Sequence, residues 1–314
     1  MSSPPVGRLA PSPTGHLHLG HARSFLLAWW SMRSQNGQLK LRLEDLDGPR
    51  VRKEFCDAIV EDLKWLGLSW DGIPTRQSDH KGAIQAAIAS LEGRGLAYPC
   101  VCSRSNIRSA QSAPHGHEAI YPGTCRDRYA SVLEAEQITG KVAGLRFRPQ
   151  PGITVFEDSL AGVIQENVED ERGDFLIARR DGTAAYQLAV VVDDARQGVT
   201  EVLRGDDLLE STARQYLLQE ALGYSHPRWI HVPLVLDENG ERFAKRAHSV
   251  SLRKLRDRGV RPEVIVGWAA RSLGMPCGRS LAPAEALPHF SIEKLSHDPY
   301  RLSAQELSQL GAVD

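Results

Sequence analysis

The stretch that most constrains this 314-residue chain is RLAPSPTGHLHLGHARSFLLAWW, residues 8–30. Residues 6–10, VGRLA, read as a short strand. PSPTG cannot continue it, because Pro11 and Pro13 lack a backbone N–H and Gly15 is a turn former. From Leu19 the pattern turns helical, with Phe25, Leu26, Trp29 and Trp30 on one face. Asn36 and Gly37 suit a helix stop, and QLKLRLED at 38–45 alternates like a strand. Strand, Pro/Gly loop, helix and strand form the first unit of a parallel α/β sheet. A loop that enters a helix this way offers bare N–H groups and the positive end of the helix dipole, which together attract phosphate. His18 and His21, three apart, share the first turn and can donate to phosphate oxygens. Gly20 leaves room for a flat ring or a sugar to approach the backbone.

Further along, residues 52–67 and 80–95 read as helices. Residues 98–128 look like a loop-rich insertion, and LRFR, VFEDSLAG and DFLIARRDG suggest short β pieces. Residues 184–209 read as a buried strand, a turn and another strand, where the sheet resumes. ESTARQYLLQEAL at 210–222 is expected to be a helix opened by a Ser/Thr cap. From about 250 the pattern is helical throughout. No apolar run approaches the ~20 residues of a membrane span, and no signal-peptide pattern opens the chain. A cytoplasmic location without a membrane partner is therefore expected. The formal net charge is −1, so a nucleic-acid partner would have to meet local patches. RFAKRAHSVSLRKLRDRGVR, 242–261, carries eight Lys or Arg and one acid and is the candidate for phosphate contacts. Lys245, just past an ENG turn, suits stabilisation of a leaving pyrophosphate.

The five cysteines are Cys56, Cys100, Cys102, Cys125 and Cys277. An odd number without an export signal argues against a disulfide framework. Cys100 and Cys102, with Cys125 following 23 residues later, suit one tetrahedral zinc ion per chain. Chemistry alone would take His115 or His117 as the fourth ligand.

PSPTGHLHLGHAR, LRLEDLD, VVVDD, VLRGDDLLESTARQ, HVPLVLDENG and RFAKR together resemble the class I glutamyl-tRNA synthetases, over residues 6 to about 250. HLGH matches that family's HIGH motif and RFAKR its KMSKS loop. The resemblance implies a Rossmann-type α/β catalytic domain (1–97 and 184–250), a zinc-bearing α+β insertion (98–183) and a C-terminal helical stem-contact region (251–314). It places Arg8, Ala10, Ser12, Glu44, Tyr186 and Arg204 around L-glutamate. An arginine grips a carboxylate through two parallel N–H bonds, and Glu44 would hold the α-ammonium. It assigns His18, Gly20, His21 and Lys245 to ATP with Mg2+, with His18, His21 and Lys245 catalytic. It chooses Tyr121 as the fourth zinc ligand.

Three departures separate the chain from full-length members. It stops at Asp314, where they continue into an anticodon-binding domain. Val190 stands where the discriminating synthetases typically carry asparagine. The insertion holds the cysteine cluster. These departures resemble the truncated paralogue family, the glutamyl-queuosine tRNA(Asp) synthetases. That resemblance implies tRNA-independent activation of glutamate. Transfer to queuosine at the wobble position would follow, with a monomeric enzyme gripping the anticodon stem-loop of tRNA(Asp). The alternatives are a truncated synthetase that charges a tRNA 3′ end, and an inactive RNA-binding paralogue, against which His18, His21 and Lys245 argue.

Overall fold

A computed structural model describes residues 3–46, 48–103, 105–107, 120–243 and 251–311. Strand β1 (Val6–Leu9) lies parallel to β2 (Gln38–Leu43), with Val6 opposite Gln38 and Leu9 opposite Leu41. Helix α1 (Leu19–Ser34) makes the crossover. The Asn-Gly stop works as expected. Asn36 takes the left-handed conformation (φ 53°), and a Cβ on Gly37 would stand 2.8 Å from the Pro5 carbonyl oxygen. Leu26, Trp29 and Trp30 are buried, with Phe25 partly buried beside them. After α2 (Lys53–Trp65) the short β3 (Thr75–Arg76) pairs parallel with β2.

Helix α3 (Lys81–Gly93) leads into β4 (Ala97–Cys100), which pairs antiparallel with β5 (Gly144–Phe147). Strand β8 (Phe175–Ala178) flanks β5 on its other side, and α4 (Val132–Thr139) packs on β4. Between β5 and β8 the chain makes a hairpin, β6 (Thr154–Asp158) with β7 (Gly162–Glu166), and then a one-turn helix α5 (Val168–Glu171). This hairpin extends a second parallel sheet, because β6 pairs with β10 (Arg228–Val232) at Asp158 and Trp229. Strand β9 (Glu201–Gly205) completes that sheet in the order β7-β6-β10-β9. The two parallel sheets meet where the Thr200 N–H donates to the Val6 carbonyl (2.8 Å) and the Val6 N–H to the Thr200 hydroxyl (2.8 Å).

Three readings of the sequence are corrected. Tyr186–Arg196, read as a strand, is helix α6. Every residue from Gln187 to Asp194 is buried, so the apolar run has no exposed face to reveal a 3.6 period. Its valines mislead because burial overrides β-propensity. Helix α7 (Leu209–Leu222) opens without a Ser/Thr cap. A short 3-10 turn at Asp206–Leu208 leads into it, and Ser211 and Thr212 sit inside the first turn, where the Thr212 hydroxyl bonds elsewhere. The region past 250 is not purely helical. It holds α8 (Leu252–Asp257), α9 (Pro262–Arg271), α10 (Pro283–Ala286) and α11 (Ala304–Gln309). Yet β12 (Tyr300–Arg301) also pairs parallel with β11 (Val235–Leu236). The largest core joins α1, β1 and β2 to these C-terminal helices. There Trp30 and Trp268 are buried, and the Trp30 indole donates to the Pro283 carbonyl (2.9 Å).

Candidate active site

A cavity of 480 Å³ opens between the C-terminal ends of β1 and β9, the Pro/Gly loop, the start of α1 and residues 233–235. Its wall brings together Arg8, Ala10, Ser12, His18, Gly20, His21, Glu44, Tyr186 and Arg204. Lys245 lies outside the described residues, as do His115 and His117.

The two histidines are structural before they are chemical. His18 is the N-cap of α1, and its Nδ1 accepts the Gly20 N–H (3.1 Å). The His18 N–H in turn donates to His21 Nδ1 (3.3 Å). The pair forms a capping box in imidazole, with ring centroids 3.7 Å apart. Burial pushes the His18 pKa down to about 4 and that of His21 to about 3, and the nearby Arg242 adds to both effects. Both rings are therefore neutral at pH 7. Because each Nδ1 is an acceptor, each ring carries its proton on Nε2, a donor with no partner among the described residues. Gly20 makes room for the box itself, since a Cβ there would stand 3.1 Å from the His18 ring.

Behind the other end of the cavity lies a buried ionic network. Arg42 is fully buried on β2. It binds Asp194 of α6 (2.7 Å), Glu44 (3.0 Å) and the Gln197 side chain (2.7 Å). Arg8 on β1 approaches the same Asp194 oxygen (3.4 Å) and donates to the Leu203 carbonyl (3.2 Å). Burial raises the Glu44 pKa, with Arg42 and Arg8 pulling it back. Arg204 on β9 is different. It is 6% exposed, and its partners are all uncharged: His231 Nε2 (2.9 Å), Thr212 Oγ1 (3.0 Å), the Leu208 carbonyl (3.3 Å) and the Tyr186 hydroxyl (3.4 Å). Among the described residues it has no carboxylate in ion-pair range. Burial lowers its pKa, and Asp194 and Glu44, acting from beyond ion-pair range, do not make up for a contact counter-charge. A carboxylate guest would supply that counter-charge.

Reading residues in isolation passed over the roles of Arg42, Asp194, Asp158, His231 and Thr212. The two acids of VVVDD were visible as charges in an apolar run, a signal of a paired buried group. Val190, one turn beyond Tyr186, is buried in the apolar core and does not line the cavity.

In the insertion, the sulfurs of Cys100, Cys102 and Cys125 lie within 4.8 Å of one another. The Tyr121 oxygen stands 3.4 Å from Cys100 Sγ and 3.7 Å from Cys102 Sγ. It also accepts the Cys125 N–H (2.8 Å). Arg146 stacks on the Tyr121 ring at 3.8 Å and donates to Cys100 Sγ (3.3 Å), a cation placed to offset anionic ligands. Ligands at about 2.3 Å in a tetrahedron stand roughly 3.8 Å apart, so this donor set fits a single metal ion.

The basic run 242–261 is partly committed to the protein. Arg242 pairs with Asp207, and Arg256 pairs with Glu61 (3.1 Å) and the buried Asp62 (3.5 Å). Arg258 donates to the Gly311 carbonyl (3.1 Å).

The family model "tRNA synthetases class I (E and Q), catalytic domain" matches residues 6–301. The chain is 42% identical to the glutamyl-Q tRNA(Asp) synthetase of Symbiobacterium thermophilum, covering 97% of this chain and 98% of that one. It is 46% identical to the protein of that name from Rhodopirellula baltica, over 88% and 87%. The glutamate–tRNA ligase of Geotalea uraniireducens is 39% identical over 97% of this chain and 65% of its own length. A crystal structure of a glutamate tRNA ligase from Elizabethkingia meningosepticum superposes with a TM-score of 0.84 at 24% identity. It covers 98% of this chain and 69% of that one, a likeness of fold.

Proposed function

The chain belongs to the class I synthetase family for glutamate and glutamine, and from that premise we propose that it activates L-glutamate with ATP and transfers it to queuosine at the wobble position of tRNA(Asp). It is a ligase of the aminoacyl-tRNA synthetase type. The observation that carries the acceptor is identity of 41–46% to four proteins named glutamyl-Q tRNA(Asp) synthetase, along most of both chains.

Arg204 and the Tyr186 hydroxyl take the side-chain carboxylate, and Glu44 takes the α-ammonium. The α-carboxylate oxygen then attacks the α-phosphorus of ATP and pyrophosphate leaves with Mg2+. The His18 and His21 Nε2–H donors and Lys245 meet the charge that develops on the phosphates. In the second step a hydroxyl of the queuosine cyclopentenediol attacks the glutamyl carbonyl. The ester forms and AMP leaves. The unneutralised Arg204 supports glutamate over an uncharged amino acid, because only a carboxylate cancels its buried charge.

Cys100, Cys102, Cys125 and Tyr121 hold one zinc ion, which supplies a cross-link for the insertion. A site closed by four protein ligands leaves no position for a reactive water. Replacing both Cys56 and Cys277 with serine leaves the metal content unchanged in this reading.

The deciding experiment offers labelled glutamate to tRNA(Asp) with and without queuosine, alongside ATP–pyrophosphate exchange without tRNA. Exchange without tRNA and labelling of the queuosine form alone support the proposal. Label on the 3′-terminal adenosine, or equal labelling of both tRNAs, overturns it.

A further inference from the structure

Arg204 is oriented by a buried pair of groups that the reaction scheme above does not use. Asp158 ends β6, in the segment assigned above to the insertion, and is 1% exposed. Its Oδ1 accepts the Leu160 and Ala161 N–H groups (3.0 and 2.9 Å). Its Oδ2 accepts the His231 backbone N–H (3.0 Å) and meets His231 Nδ1 at 2.6 Å. Burial alone would raise its pKa. The bonds from His231, Ala161 and Leu160 outweigh that and hold the carboxyl below the usual range. An ionised Asp158 only accepts, so the imidazole proton must sit on Nδ1. His231 Nε2 is then a lone pair, and the Arg204 Nε–H donates to it at 2.9 Å. Thr212 Oγ1 lies 3.2 Å from the same nitrogen and accepts from Arg204 Nη2.

The geometry points to Asp158 and His231 as a positioning pair that aims Arg204 at the substrate carboxylate while leaving its charge uncancelled. This rests on Arg204 being the carboxylate-binding residue. A carboxylate placed directly on Arg204 would fix it equally well. It would also form an ion pair and remove the reason for an anionic guest to bind. Inserting a neutral imidazole passes on the orientation of Asp158 without its charge, as carboxylates orient histidine ligands at metal centres. The groups facing His231 are Asp158 from β6, Arg204 from β9, Thr212 from α7, the Trp229 ring at 6.2 Å and, further off, Arg8 from β1. Two of these are cations, so a protonated His231 would set N–H against N–H at Arg204.

The test measures tRNA-independent ATP–pyrophosphate exchange for His231→Leu, His231→Gln and Arg204→Ala. NMR of the imidazole nitrogens of the unmodified protein accompanies it. Losing a hydrogen bond to a charged group weakens binding roughly 10- to 100-fold. His231→Leu should raise KM for glutamate by that factor, with kcat and KM for ATP nearly unchanged. His231→Gln, whose amide oxygen can accept from Arg204 Nε, should recover much of it. The NMR should show a neutral ring with its proton on Nδ1 between pH 6 and 8. A proton on Nε2 overturns the proposal even if the variants fail to fold. So does an unchanged KM in His231→Leu when Arg204→Ala raises it. If Arg204→Ala itself leaves KM for glutamate unchanged, the pocket assignment is what fails.

Discussion

At one end of the cleft Arg42 sits sealed between Glu44 and Asp194. At the other, His18 and His21 cap a helix and carry no charge. Most of the ionic end is neutralised by the chain itself, because each buried ion left without a partner is costly to hold. At that end Arg204 is the exception among the described residues, held by uncharged partners, and it marks where an external charge belongs. The nucleotide end faces the opposite problem. The guest proposed there brings several negative charges, and neutral donors and a helix dipole face it together with Arg242. In the proposed reaction, Lys245 supplies the cation needed at the moment of transfer. One end is prepaired and the other waits.

The largest expected effect comes from breaking the prepaired end. Arg42→Ala leaves Glu44 and Asp194 buried together and should cost about 3–5 kcal/mol of stability, read as a lower urea midpoint. A variant as stable as the parent would show that water already reaches this network. Next is Lys245→Ala. It should slow exchange ~100-fold, about 3 kcal/mol of barrier, with the unfolding midpoint unmoved. Wild-type exchange would mean that the nucleotide end needs no added cation.

His18 separates the two plans within one residue. His18→Ala removes an N-cap and should cost ~1 kcal/mol of stability. His18→Asn restores a cap acceptor without the Nε2–H donor, so stability should return and exchange should not. Recovery of both would reduce the histidine to a cap. A last effect is in pH. The two imidazoles titrate near pH 4 and pH 3 when folded, against ~6.5 when unfolded. Between about 6.5 and 4 the unfolded chain binds protons that the folded one refuses. Their contribution is therefore complete above 6.5 and declines as pH falls through that window. Urea melts at pH 7 and pH 5 should show a steeper loss for the parent than for a variant lacking both rings. Equal slopes would mean that the rings are charged in the folded protein.

The β1–loop–α1 unit was legible because proline, glycine and a one-sided apolar period each act over a few residues. Tyr186–Arg196 was not, since a helix buried on all sides has no polar face to set its phase. Glu44, Tyr186 and Arg204 were recognised through family resemblance, which carried information that composition lacks. Nothing local to LRLED distinguishes a buried Arg42–Glu44 pair from an exposed one. Asp158 and His231 stayed silent for a further reason. They lie 73 residues apart, and the arginine they serve is 27 residues from His231. Hydrogen bonds of that span leave no periodicity.

The bonds that join β1 to the strand-opening residue Thr200 span 194 positions. A ribosome adding ~5–20 residues each second needs roughly 10–40 s to cover that distance. Throughout that interval β1 and β2 can pair with each other, but the far edge of β1 remains open. An unpaired parallel edge beside apolar side chains is a template for misassociation. The nascent chain of this protein therefore carries an open β1 edge from the time β1 is made until β9 emerges. Slowing synthesis ahead of residue 200 should lower the soluble yield more than slowing it afterwards.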